Sequence, residues 1–166
     1  MNPGLFPSLN LPPYGAQTRH GASGGMEIWD AIRRRWVALT PEEWVRQHFV
    51  NMLVRDCGFS VFRIANEKGI RVNGRIRRCD TIIYNDVLRP VVIVEYKAPH
   101  VPVTQAVFDQ IGRYNIVVGA PLLVVTNGLR TFVAHFRRSE VEGEAPQVTF
   151  LDGLPTAAQV AQMTSI

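Results

Sequence analysis

The sequence predicts an α/β domain in which one mixed β-sheet is flanked by helices. Three observations carry that expectation. A capped helix start stands at Thr40, strand-like segments follow it around an Asn-Gly turn, and Val91–Val94 is apolar at every position, as in a central strand buried on both faces. A chain of 166 residues has the length of one domain, and 46% hydrophobic against 19% charged residues is the balance of a globular protein. No run approaches the ~18 apolar residues of a membrane span, and residues 1–25 lack a basic start followed by an apolar stretch. Two cysteines are too few for a disulfide framework or a common zinc site. The expectation is a cytoplasmic chain without a membrane partner. A net charge of +4 is compatible with nucleic acid without requiring it.

Taken in order, residues 1–25 are rich in Pro, Gly and Ser and read as an extended arm, with Leu9–Pro12 packing on the body. Residues 26–138 form the body and 139–166 a tail. Glu27–Leu39 fits a strand or ribbon with Arg33, Arg34 and Arg35 at its turn. Thr40 is an N-cap, Pro41 suits the first helical position, and Glu43 stands three residues after the cap, as in a capping box. Val45, Phe49, Met52 and Leu53 recur at helical spacing, and Gly58 reads as the C-terminal cap. Phe62–Val72 and Ile76–Tyr84 flank Asn73-Gly74, a strong hairpin signal, and Val91–Lys97 is the next strand. Residues 103–118 read as a second helix with Val107, Ile111, Tyr114 and Val118 inward. Leu122–Thr126 and Thr131–Phe136 are strands joined by Asn127-Gly128.

The residues that point to chemistry lie at the strand ends. Asp80 sits within Ile76–Tyr84 and Glu95 near the end of the following strand, so a hairpin brings the two carboxylates side by side. Lys97, two positions beyond Glu95, shares its face. Two carboxylates and an ammonium in one place suit metal-assisted phosphodiester hydrolysis. Mg²⁺ takes one or two carboxylates and keeps several waters, with Mn²⁺ an alternative occupant, and the Tyr96 carbonyl is a further inner-shell candidate. Lys97 would orient the attacking water and stabilise developing charge. The competing reading is a solvated face of ordinary ion pairs. Gln110 and Tyr114 form an i, i+4 pair on the inward face of the second helix, where a polar Gln110 needs a partner. Of three arginine groups (33–35; 75, 77 and 78; 137 and 138), Arg77 and Arg78 are singled out as phosphate contacts because they precede Asp80 on its strand. Trp29, Trp36 and Trp44 read as packing residues.

Asp80, Glu95-Tyr96-Lys97 and Gln110-Ile111-Gly112-Arg113-Tyr114 resemble the D, E-x-K and Q-x-x-x-Y motifs of RecB-like PD-(D/E)XK nucleases. Residues Leu39–Gln47, Arg78-Cys79-Asp80 and Val125-Thr126-Asn127-Gly128 resemble the N-terminal domain of type I restriction enzyme HsdR subunits. The resemblance spans about Leu9 to Phe136. It implies a restriction-endonuclease-like fold and a Mg²⁺-dependent nuclease on DNA. It also implies an acidic residue of the first helix at the metal site, Glu43 with Glu42 as competitor, and Gln110, Tyr114 and Arg78 as supporting residues. Cys79 stands where the motif name has proline and reads as core packing. The sequence holds no Gly-x-x-x-x-Gly-Lys-Ser/Thr loop. The expectation is therefore a nuclease domain without its own motor, with a partner to supply motor or specificity. The alternative is a non-cleaving nucleic-acid-binding or complex-forming module on the same fold.

Overall fold

The computed structural model describes residues 6–72, 74–137 and 146–164, save the side chains of Val72 and Tyr114. Two sheets carry the chain. A small antiparallel one joins β1 (Thr18–His20), β2 (Met26–Asp30) and β3 (Arg35–Ala38) in that order. The larger one joins β4 (Ile64–Val72), β5 (Arg75–Tyr84), β6 (Pro90–Tyr96), β7 (Leu122–Thr126), β8 (Thr131–Arg137) and β9 (Gln147–Leu151), also in sequence order. Among the described strands only β6 and β7 run parallel, and a parallel pair needs a long crossover. Helix α2 (Gln105–Val118) supplies it.

The central strands are buried on both faces, as their sequence requires. Val92, Val94 and Tyr96 of β6 face α1 (Pro41–Arg55) in a cluster with Val45, Phe49 and Leu53, while Ile93 faces a second cluster containing Ile111 of α2. The period of two in β6 thus sorts one apolar run into two cores.

Helix α1 begins as its sequence dictates: Thr40 Oγ1 accepts the Glu43 amide at 3.1 Å, and Pro41 occupies the first turn. Only half of the capping box forms, because the Glu43 carboxylate turns to arginines instead. The helix ends at Arg55 with Asp56 as its cap. Gly58 comes two residues later at φ +76°, where Phe59 donates its amide to the Leu53 carbonyl at 3.0 Å. At the end of α2, Asn115 exchanges two 2.8 Å bonds with the backbone of Ala120 and so fixes the entry to β7.

The ends of the chain depart from the sequence reading. Residues read as a polar tail contain β9, which pairs with β8, and α3 (Ala157–Met163), whose Val160 is buried in the first cluster. Thr156 and Gln159 form a complete capping box for α3, a signal present in the sequence but short. Within the arm, β1 pairs with β2, Leu9 and Leu11 pack on the first cluster, and the Asn10 amide donates to the Gly128 carbonyl at 2.8 Å. Among the described residues, no helix is long and apolar enough to cross a membrane. Asn73 and Arg138, named above, lie outside the described residues.

Candidate active site

Asp80, Glu95 and Lys97 meet where β5 and β6 stop pairing. The last paired residues are Thr81 and Val94, and one step further lie Asp80 and Glu95. Asp80 Oδ2 accepts the Tyr96 amide at 2.9 Å, and Lys97 Nζ donates to Glu95 Oε1 at 2.7 Å. The Lys97 amide donates to the Thr126 carbonyl, so the strand leads directly into the site. Beyond it, Asn127 Nδ2 donates to the Val101 carbonyl at 2.9 Å and holds the loop that follows Lys97.

The strand alternation breaks at this point. Asp80 reaches Arg46 on α1, yet its neighbour Thr81 also reaches the α1 side, accepting from the Tyr96 hydroxyl at 3.1 Å. Glu67 on the adjacent β4 has φ +53°, a backbone state rare for a residue other than glycine. This irregularity frees Asp80 from strict alternation, and its carboxylate lies close enough to Glu95 for the two charges to act on each other.

Burial sets the electrostatics. Glu95 is 6% exposed, and burial followed by the Asp80 charge pushes its carboxyl up to about 7 against the opposing pull of Lys97. Burial lowers the Lys97 ammonium, but its hydrogen bond to Glu95 and the charges of Glu95, Asp80 and Glu42 outweigh that and raise it. Lys97 thus stays charged, and burial makes the Glu95 carboxyl easier to protonate than an ordinary carboxylate. Glu42 is also raised, by burial and then by Asp80.

Sequence reasoning missed the residue that ties the site together. Arg46 is 3% exposed and its guanidinium meets Glu43 at 2.6 Å, Asp80 at 3.2 Å, Glu67 at 3.4 Å and Glu42 at 3.6 Å. Arg33, from the turn between β2 and β3, joins the same network through Asp30, Glu43 at 2.8 Å and Glu67 at 2.6 Å. Among the described residues, six carboxylates (Asp30, Glu42, Glu43, Glu67, Asp80 and Glu95) share four cations (Arg33, Arg46, Lys97 and, at 3.9 Å from Glu67, Arg78). The signal in the sequence was the spacing of Arg46 from Glu42 and Glu43; its burial was not legible there. A cleft of about 440 Å³ opens beside this network, lined by Arg35, Trp36, Glu42, Arg46 and Glu67 among others.

The expected supporting residues distribute unequally. Glu43 is buried and satisfied by Arg33, Arg46 and Gln47, the last donating at 2.7 Å. Glu42, at 43% side-chain exposure, is the acidic residue of α1 whose charge acts on Glu95 and Lys97. Arg78 is exposed on β5 and lies 3.9 Å from Glu67. Gln110 is half-buried on α2, and Tyr114 lies on the same helix with its side chain outside the description. Cys79 is 1% exposed in the second cluster and packs as expected. The tryptophans pack too: Trp29 against Trp36 at 5.5 Å, and Trp44 between Phe6 and His48.

A divalent cation fits this donor set in one respect and not in another. Among the described residues no three His, Cys, Asp or Glu side chains form a ready-made cage. Asp80 and Glu95 nevertheless offer two hard carboxylates in a locality with surplus negative charge, and two are enough for Mg²⁺ with its waters.

A six-stranded mixed sheet with α1 on one face and α2 on the other, and Asp80, Glu95 and Lys97 at its end, defines a restriction-endonuclease-like domain. Residues 41–155 match the family described as type I restriction enzyme R protein N terminus, and the chain belongs to that family. The fold is similar to a fragment structure assigned to an HsdR subunit of a type I restriction enzyme from Vibrio vulnificus YJ016. The TM-score is 0.53 at 20% identity over 75% of this chain, which spans only 25% of that one. No curated protein matches the chain.

Proposed function

We propose that this domain is a divalent-metal-dependent nuclease that hydrolyses phosphodiester bonds in DNA. One observation carries the reading: Asp80, Glu95 and Lys97 converge at a sheet end beside a network in which, among the described residues, six carboxylates outnumber four cations. Asp80 and Glu95 would hold Mg²⁺ or Mn²⁺, with the Tyr96 carbonyl as a further ligand. The bound ion would supply an activated water and neutralise charge on the phosphate. Asp80 already accepts two hydrogen bonds, yet a carboxylate has about four lone-pair sites, so it retains capacity for a ligand. Lys97 places a charged ammonium beside Glu95, where it orients a nucleophile and stabilises negative charge on the scissile group. Glu42 is the α1 carboxylate best placed to hold water at the site, and Glu43 serves the fold through Arg33 and Arg46. Membership of the R-protein family supports DNA as substrate, and further subunits as partners that supply motor and specificity.

A second reading is a non-cleaving DNA-binding or complex-forming module. The 3.2 Å pair between Arg46 and Asp80 favours it, because a guanidinium competes with a metal for that carboxylate. Incubating plasmid and single-stranded DNA with wild type, Asp80→Ala and Lys97→Ala, with Mg²⁺ or Mn²⁺, separates the two. The nuclease reading expects cleavage that needs metal and vanishes in both variants. Absence of cleavage by every form would leave the second reading, and activity that survives both substitutions would overturn the site assignment.

A further inference from the structure

The hairpin of β4 and β5 is longer than the sheet it belongs to. Residues of β5 paired with β6 run only from Thr81 to Tyr84, whereas β4 and β5 go on pairing through Lys68↔Cys79, Gly69↔Arg78, Ile70↔Arg77 and Arg71↔Ile76 to Val72↔Arg75. This distal half is a two-stranded ribbon that projects about 14 Å past the sheet beside Asp80. It carries Lys68, Arg71, Arg75, Arg77 and Arg78, all exposed, and no carboxylate from Lys68 to Val72 or from Gly74 to Cys79. Among the described residues, the ion pair on it is Arg78 with Glu67 at 3.9 Å, and none engages Lys68, Arg71, Arg75 or Arg77.

The register sorts these residues into two faces. Arg71, Ile76 and Arg78 share the face that leads to Asp80, with Ile76 lying over Gly69; Lys68, Arg75 and Arg77 share the opposite face, whose base is packed through Cys79 and Ile70 on the second cluster. Ile76 is 74% exposed on the first face. Charges on a sheet edge commonly serve to prevent edge-to-edge pairing. In the ribbon both strands have an open edge, and one or two cations would serve that purpose; five cations without a carboxylate among them exceed it.

We infer that this ribbon is a DNA-docking arm that lies in a groove of the duplex and leads its backbone toward Asp80. The inference rests on the nuclease reading for its ligand and adds the surface that grips it. A two-stranded ribbon fits a B-form major groove about 12 Å wide, whereas the major groove of an A-form RNA duplex is too narrow to admit side chains. Cations on both faces reach the phosphates of both groove walls, and exposed Ile76 gives an apolar contact between them. A single-strand platform would instead present aromatic rings for base stacking. The ribbon residues from Lys68 to Val72 and from Gly74 to Cys79 include none.

The test is binding without cleavage: fluorescence anisotropy of a labelled 25-base-pair duplex and of one of its single strands, in EDTA, across a monovalent salt series. The variants are Arg75→Gln/Arg77→Gln and, as a charge-matched control, Arg63→Gln/Arg89→Gln, just before β4 and β6 and away from the ribbon. Each phosphate contact contributes about 0.9 to the slope of log K against log[salt]. The ribbon variant is expected to flatten the duplex slope by roughly 2 and to bind about 60-fold more weakly at 0.1 M salt. The control keeps the wild-type slope, and melting temperatures stay within a degree or two because all four side chains point to solvent or the surface. Equal loss in both double variants, an unchanged slope in the ribbon variant, or no preference of wild type for duplex over single strand would each overturn the inference. Because no metal is present, a protein that binds through the ribbon but never cuts sinks the nuclease reading alone. One that cuts normally with the ribbon arginines removed sinks this inference alone.

Discussion

Replacing Arg46 by methionine is the sharpest probe of how the site is held. The side chain is 3% exposed and its guanidinium contacts Glu43 and Asp80 within 3.2 Å, with Glu67 and Glu42 slightly further away. It also lies over the Tyr96 ring at 5.4 Å. Methionine fills much of the same volume but leaves these carboxylates without their shared cation. Breaking a buried ion pair from one side costs about 3–5 kcal/mol, which for a chain of this size is a fall in melting temperature of roughly 10 °C. Urea denaturation of wild type and Arg46→Met at neutral pH measures this loss, with Arg63→Met as the comparison. Arg63 pairs with fully exposed Asp86 at 3.6 Å, and such surface pairs contribute under about 1 kcal/mol. A loss below about 1 kcal/mol, no larger than that of Arg63→Met, would refute the account of Arg46 as the buried centre of the network.

Glu42 and Glu43 should separate cleanly: Glu43→Gln is expected to lose about 3 kcal/mol in urea denaturation because it disrupts the buried, charge-assisted hydrogen bonds that Glu43 accepts from Arg33, Arg46 and Gln47. Glu42→Gln should barely move the denaturation midpoint, but it should raise the Mg²⁺ concentration needed for half-maximal cleavage. In EDTA, the stability contributed by Glu95 is present below its unfolded pKa near 4.3 and is lost as pH rises through about 7, by up to about 3 kcal/mol. Melting curves from pH 4.5 to 8 should show this decline in wild type and a flatter profile in Glu95→Gln; parallel curves would rule out a strongly raised Glu95. Gly128→Ala should destabilise by about 2 kcal/mol, since the backbone there sits at φ +79° and a Cβ would come within 2.8 Å of Leu9 and 3.1 Å of Val45. Differential scanning calorimetry would show it as a lower melting temperature.

Local signals in the sequence sufficed for much of the fold. Thr40, Pro41 and Glu43 mark a helix start through backbone groups a few residues away, and Val91–Val94 marks a central strand because both its faces must be buried. The approach of Asp80 to Glu95 and Lys97 was legible in part, since one turn joins their strands, but parity alone does not orient Asp80. What reads locally stops there. Whether Glu42 or Glu43 serves the site depends on Arg33 and Arg46, one from a turn ten residues upstream of Glu43 and the other buried on α1. The rotation of Asp80 toward α1 depends on a left-handed backbone at Glu67 that no side-chain pattern announces. β9 and α3 looked like a polar tail because an edge strand exposes most of its residues and a seven-residue helix buries little more than Val160. Residue order and spacing therefore determined which chemistry the strand ends can hold. Tertiary packing decided which charges remain free to perform it, because the energy of a buried ion depends on every partner that surrounds it.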